Sequence, residues 1–167
     1  MTAQTRFLNP ETLFQPPGYT QVVEATGPAR IVYIAGQLGI DKDGRLPSDF
    51  RSQALQTFEN LRAALEAVGG KLEHIVKLNN YLIDNAHLPV LRDVRAGILK
   101  GNPPPASTTL QVAGFARVGA LLEIEAVAVL PPLAKAKAKP TKAGGARSTA
   151  KKVAAKPAKK APPRKGR

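Results

Sequence analysis

Two acidic side chains, Glu123 and Glu125, interrupt one side of the apolar stretch LLEIEAVAVL over residues 121–130. Residues two apart on a strand point the same way and lie roughly 6.5 Å apart, since a strand rises about 3.3 Å per residue. The two carboxylates therefore share a face with Leu121, Val127 and Val129, whereas the other face is apolar throughout. One face predicts a core contact, and the half-acidic face predicts cover by a partner chain or a ligand pocket.

Glu123 could act as a base on a ligand bound at that face. Hydrolysis of an imine requires a water molecule that is held in place and loses a proton as it attacks, and a positioned carboxylate can accept that proton. The structural alternative is an acid in a subunit interface that accepts hydrogen bonds from backbone amides. The residues alone leave both interpretations open.

Composition excludes several other chemistries. The 167 residues contain no cysteine, so disulfides, thiolate nucleophiles and thiolate metal ligands are excluded. The two histidines, His74 and His87, lack metal-ligand spacing, and no metal site is predicted. No apolar run approaches the roughly 18 residues of a membrane span, and no secretory signal pattern opens the chain. We expect a cytoplasmic protein without a membrane partner.

The charge divides the chain in two. Residues 1–133 hold 12 basic and 12 acidic side chains, whereas residues 134–167 hold 13 basic side chains and no acid. The second segment consists mainly of Lys, Ala and Pro, so it cannot bury enough apolar surface to offset its chain entropy. We therefore predict a folded domain over 1–133 and a disordered basic tail over 134–167.

The tail predicts contact with nucleic acid. Neutralising phosphates releases counterions, which gives affinity without sequence preference and a steep dependence on salt. DNA or RNA binding by the tail would associate the protein with the nucleoid, and the alternative is a solubility tail that binds any polyanion weakly. The phosphate-contacting candidates are Lys135, Lys137, Lys139, Lys151, Lys152, Lys159, Lys160 and Arg164.

Hydrophobic periodicity places the elements of the domain. An irregular start with a short edge strand near Phe7 precedes strands at 19–24 and 30–35, which the turn residues Gly27 and Pro28 predict to be a hairpin. Apolar residues three or four apart predict helices from Asp49 to Gly69 and over 88–100. Alternating residues predict strands at 74–84, 107–114 and 121–130. This order favours an α+β domain, a mixed sheet with two helices on one face.

Four segments of the domain resemble the RidA/YjgF reactive intermediate deaminase family. They are Pro17-Gly18-Tyr19, YIAGQLG with Gly36 and Gln37, Pro105-Ala106 leading into TTLQVAG, and LLEIEAVA with Glu123. The resemblance covers roughly residues 6–131. It implies a chorismate-mutase-like fold, a homotrimer with a ligand cleft at each subunit interface, and hydrolysis of 2-imino or enamine acids without a cofactor.

Ser107 departs from the pattern of the deaminating branch, which has arginine after Pro-Ala. An arginine fork holds a substrate carboxylate bidentately, whereas a serine offers one neutral hydroxyl. The departure predicts weak binding of the usual 2-imino acids. Arg92 and Arg95 lie on the preceding helix, and the sequence does not show whether either reaches this position.

The remaining ligand-binding candidates each have a structural alternative. Tyr19 could line the cleft or pack at its rim, and Gln37 could aim its amide at a ligand or close the glycine segment beside Gly36. Ser107 could donate a hydrogen bond to a ligand, but it lacks the partners of a nucleophile. Two functions follow: a small-molecule enzyme acting through Glu123, or a non-catalytic ligand-binding trimer tethered to nucleic acid by its tails.

Overall fold

A computed structural model describes residues 3–101 and 103–133 of the chain. The predicted tail, with its eight phosphate-contacting candidates, lies outside the described residues, and its disorder and its nucleic-acid contacts remain predictions. The described strands are β1 (Gln4–Leu8), β2 (Val22–Thr26), β3 (Arg30–Leu38), β4 (Ile75–Leu82), β5 (Ala106–Gln111) and β6 (Leu122–Leu130). The α-helices are α1 (Phe50–Glu66) and α2 (Leu88–Ile98), with short 3-10 turns at Leu72–His74 and Asn85–His87.

The main sheet has four strands in the order β3-β6-β4-β5. β6 runs antiparallel to both of its neighbours, and β4 runs parallel to β5. Residues of both helices form one core with the apolar face of this sheet. The predicted α+β architecture, a mixed sheet with two helices on one face, is confirmed.

The predicted hairpin between 19–24 and 30–35 is wrong. A turn with Gly27 at φ +83° does separate the two strands, but β2 pairs with β1 and β3 pairs with β6. The short edge strand predicted near Phe7 is β1, and it is the partner of β2. Strands that are neighbours in sequence often pair with each other. Here β3 pairs with β6 instead, and both strands are nine residues long.

The ends of both helices follow from local chemistry. Asp49 caps α1, because its side chain accepts a hydrogen bond from the backbone N–H of Ser52 at 2.9 Å. Backbone donors hold the Asp49 carboxylate as an anion, and they lower its pKa below the ordinary value. Gly69 and Gly101, both at positive φ, follow the two helices. The predicted helices are confirmed: they begin at or next to the predicted residues and end a few residues before the predicted limits.

The two faces of β6 differ as the sequence predicts. Every second residue from Leu122 to Leu130 is buried against the helices. The opposite face of the sheet, here called the outer face, carries Glu123 and Glu125, and on β3 it carries Ile31 and Tyr33. The exposed fractions of Ile31 and Tyr33 are 61% and 79%. A single copy of the domain therefore leaves an apolar and acidic sheet face uncovered.

Candidate functional site

Glu123 lies over the backbone of Gly36 on the outer face. A Cβ built on Gly36 would be 1.7 Å from Glu123 Oε1, so only glycine allows the carboxylate to take this place. The register of β3 against β6 shifts between Ile34 and Gln37, which brings Gly36 out towards the carboxylate. Gly36 at this bulge of β3 and Glu123 on the neighbouring strand β6 thus form one structural unit.

Glu125 is held differently from its neighbour. Its Oε2 accepts a hydrogen bond from Asn79 Nδ2 at 3.3 Å and another from the Tyr81 hydroxyl at 3.2 Å. Burial, followed by the Glu125 charge, raises the pKa of Tyr81 above its ordinary value, so the phenol remains a donor at neutral pH. Among the described residues, Glu125 accepts two side-chain hydrogen bonds and Glu123 accepts none.

Gln37 sits beside this unit, opposite Ile124 in the sheet register. Its side-chain amide donates to the carbonyl oxygen of Ala35 at 3.1 Å. This hydrogen bond joins the two residues on either side of Gly36 and therefore holds the bulge in shape. Gln37 and Gly36 are brought close to Glu123, whereas the other two ligand-binding candidates are not.

Ser107 belongs to a second group, on the helix-covered side of the sheet. It lies opposite Leu78, a fully buried core residue, and residues opposite each other in register point to the same face. Asn80, only 1% exposed, donates from Nδ2 to Ser107 Oγ at 3.0 Å and to Thr109 Oγ1 at 3.2 Å. The Oδ1 atom of Asn80 is buried and accepts no hydrogen bond from the described residues.

Arg95 of α2 reaches Ser107. Its Nη1 donates to Ser107 Oγ at 3.3 Å and its Nη2 donates to the carbonyl oxygen of Gly18 at 2.7 Å. The residue is 9% exposed, and no acidic side chain among residues 3–101 and 103–133 forms an ion pair with it. Burial, followed by the nearby charge of Arg92, lowers the pKa of the guanidinium from its ordinary value.

A cavity of about 530 Å³ opens beside this arginine. Its lining includes Gly18, Tyr19, Arg92, Arg95, Lys100 and Pro104. Three of these side chains are cationic and none is acidic. Tyr19 therefore lines a cavity that lies within one subunit, beside Arg95 rather than beside Glu123, and its role in ligand binding remains a prediction.

The predicted site residues thus fall into two groups. Gly36 and Glu123 meet on the outer face, and Gln37 is next to Gly36 in the chain but opposite the buried Ile124 in register. Tyr19 and Ser107 lie beside Arg95, and Ser107 is on the helix-covered side of the sheet. In the register, Glu123 lies opposite Tyr81 of β4 and Ser107 lies opposite Leu78, three residues earlier on the same strand. A single copy does not bring the two groups together.

The sequence interpretation left Arg95 without a role, although its spacing carried a signal. Arg95 is four residues after Leu91 and three before Ile98, so it lies on the apolar stripe that faces the core. A cation on such a stripe needs polar partners, which the carbonyl of Gly18 and the hydroxyl of Ser107 provide. The identity of those partners depends on tertiary packing.

The described ranges contain neither a candidate metal cluster nor a candidate membrane-spanning helix. No cluster of three or more histidine, cysteine, aspartate or glutamate side chains there could hold a metal ion. No helix found in residues 3–101 and 103–133 combines the length and apolarity that crossing a bilayer requires.

The fold and the site together define a small α+β domain with an acid over a glycine bulge on an uncovered sheet face. The family model described as endoribonuclease L-PSP matches residues 14–130. The chain belongs to this family, and the resemblance to the RidA/YjgF proteins is confirmed.

Relatives and solved structures agree with this assignment. A RutC family protein of Aquifex aeolicus is 36% identical over 113 residues, which are 66% of this chain and 87% of that protein. A 2-iminobutanoate/2-iminopropanoate deaminase of Dermatophagoides farinae is 32% identical over 119 residues, 70% of this chain and 89% of that protein. The crystal structure of the Rid family protein YyfB from Yersinia pestis has a TM-score of 0.70 and 30% identity, and covers 75% of this chain and 98% of that one. The predicted RidA-like fold is confirmed.

Proposed function

We propose that this chain forms a homotrimer that hydrolyses an imine, an enamine or a related small nitrogen compound in a cleft between subunits. Glu123 is the catalytic base in this proposal, and Tyr19, Gly36, Gln37 and Ser107 line the cleft. The observation that carries it is the Glu123 carboxylate, placed over Gly36 on an uncovered face without a hydrogen-bond partner among the described residues. A relative named as a deaminase of 2-iminobutanoate and 2-iminopropanoate supports the reaction class.

The outer face supports the assembly. Ile31 and Tyr33 are large apolar side chains on neighbouring positions of one sheet face, and they are 61% and 79% exposed. Contiguous apolar surface of this kind marks an interface. One copy does not bring Tyr19 and Ser107 together with Glu123. In a trimer, a second copy can bring its own Tyr19 and Ser107 towards the Glu123 of its neighbour.

The reaction needs only water and a positioned carboxylate. Water attacks the carbon of the C=N bond, Glu123 takes one of its protons and the nitrogen receives it, which gives a carbinolamine. The hydroxyl proton then passes through the same carboxylate to the nitrogen. The C–N bond breaks, ammonia leaves and a carbonyl compound remains, so neither a cofactor nor an oxidant enters the balance.

The proposal is tested by incubating the full chain with freshly generated imines of several amino acids and of amines that lack a carboxylate. We expect release of ammonia and the matching carbonyl compound at a rate above the buffer reaction. Equal rates with and without protein for every imine in the series would contradict the proposal.

An alternative function is a non-catalytic ligand-binding trimer tethered to DNA or RNA. The observation that favours it is the charge of residues 134–167, with 13 basic side chains and no acid. Three such tails on one trimer would act together and raise the avidity well above that of one.

Deletion of residues 134–167 is expected to abolish retardation of duplex DNA in a gel, while the trimer remains intact. Retardation by the full chain should fall steeply with salt, because binding depends on counterion release. The domain over 1–133 has equal numbers of basic and acidic side chains and serves as its own control. A truncated chain that retards DNA as well as the full chain would refute the role of the tail.

A further inference from the structure

We infer that the cavity beside α2 is an anion site in which Arg95 binds the carboxylate of a small organic acid. The cavity volume of about 530 Å³ lies in the range of small-molecule sites. The site is formed within one subunit. Its assignment as the substrate's carboxylate anchor rests on the proposed function, whereas anion binding itself does not.

The charge of Arg95 is not compensated by any acidic side chain of the described residues. Arg95 is 9% exposed and forms no ion pair with any acidic side chain of the described residues. An arginine does not lose its proton in a protein, and a buried charge without a counter-ion is costly. A bound anion would supply the missing charge.

Two hydrogen bonds fix the plane of the Arg95 guanidinium. Nη2 donates to the carbonyl oxygen of Gly18, and Nη1 donates to the hydroxyl oxygen of Ser107. Five N–H donors are available, so several remain for a ligand. A Cβ on Gly18 would come within 3.2 Å of Nη2, which means that glycine keeps this approach open.

The other charged groups around the cavity are also cationic. Arg92 and Lys100 line it with Arg95, and none of the described residues that line it is acidic. Ser107 Oγ accepts from both Asn80 and Arg95, and so it helps to hold the guanidinium of Arg95 in place at the cavity. These groups together provide positive potential and directed donors, which is the chemistry that a carboxylate or a phosphate requires.

This inference revises the expectation drawn from Ser107. A serine in place of arginine predicts weak binding of acidic imines when no other cation is near. Arg95 brings a guanidinium from α2 to that serine, so the charge is supplied by a different element of the fold. Imines that carry a carboxylate thereby return to the set of expected substrates.

The test is calorimetric titration of the full chain with 2-oxobutanoate, the keto acid that hydrolysis of 2-iminobutanoate yields. Butan-2-one, which lacks the carboxylate, and inorganic phosphate are titrated in parallel. We expect 2-oxobutanoate to bind and butan-2-one not to bind. Arg95→Gln should raise Kd about tenfold or more, because it removes charge-assisted hydrogen bonds. Arg117→Gln, on an exposed loop, is the matched control and should leave Kd unchanged.

A second variant covers the case in which Arg95→Gln fails to fold. Arg92 and Lys100 are exposed, so Arg92→Gln combined with Lys100→Gln should keep the fold, weaken 2-oxobutanoate binding a few-fold and reduce its dependence on salt. Equal binding of 2-oxobutanoate by the wild type, the Arg95 variant and the double variant would overturn the site. Binding of phosphate without binding of 2-oxobutanoate would overturn the carboxylate assignment.

Failure of the proposed function gives a different result from failure of this inference. If Glu123 chemistry is absent, the chain shows no turnover but still binds 2-oxobutanoate through Arg95. If the anion site is absent, turnover of imines without a carboxylate continues and Arg95→Gln has no effect on acid binding.

Discussion

Replacement of Glu123 by glutamine is expected to lower the rate of imine hydrolysis by about 10²- to 10⁴-fold, the usual contribution of a general base. Glutamine has the shape of glutamate, so the geometry over Gly36 is retained. Unlike glutamate, it does not accept a proton from water. The measurement is the rate of ammonia release, with the thermal midpoint and the sedimentation profile as checks that fold and assembly are unchanged.

Glu125→Gln provides the matched control. This carboxylate lies two residues along the same strand and face, but it is occupied by Asn79 and Tyr81. We expect its replacement to change the rate no more than several-fold. An inactive Glu125 variant beside a fully active Glu123 variant would reverse the assignment of the base.

Substitution of Gly36 by alanine is expected to reduce turnover by about 100-fold, since a misplacement of roughly 1 Å at a reacting group can cost that much. The new Cβ would lie 1.7 Å from Glu123 Oε1 and 2.6 Å from its Cδ, so the carboxylate must move away. The displaced atoms are the end of a flexible side chain, and the thermal midpoint should therefore change little. Turnover is measured with the same imine as for Glu123→Gln.

Gly97→Ala is the control for this substitution. Gly97 lies in α2, and a Cβ there would meet no atom within 4 Å. Its turnover should equal that of the wild type. Wild-type turnover in Gly36→Ala would mean that the place of the Glu123 carboxylate over the bulge is irrelevant to catalysis.

Local chemistry determined the parts of the fold that the sequence predicts well. Both helices follow from the spacing of their apolar side chains, three or four residues apart. The two-sided character of β6 follows from alternation alone. The pairing of the strands did not follow from the sequence. Although β2 and β3 are neighbours in sequence, β2 pairs with β1 in the lead-in and β3 pairs with the distant β6.

Glu123 and Gly36 lie on separate strands, and the sequence motif around each one singles it out as a candidate. The structure brings the two residues into contact. Arg95 was not assigned, because its role arises from packing between α2 and β5 rather than from its neighbours in sequence. The separation of Ser107 from Glu123 across the sheet likewise depends on register, which alternation alone does not give.

Sedimentation equilibrium of the full chain, in enough salt to displace polyanions from the tail, tests the central claim that a neighbouring copy covers the outer face. We predict a particle of three chains, each of 17.7 kDa. A stable particle with the mass of one chain would leave Ile31, Tyr33 and Glu123 in water, and the cleft with its proposed chemistry would be refuted.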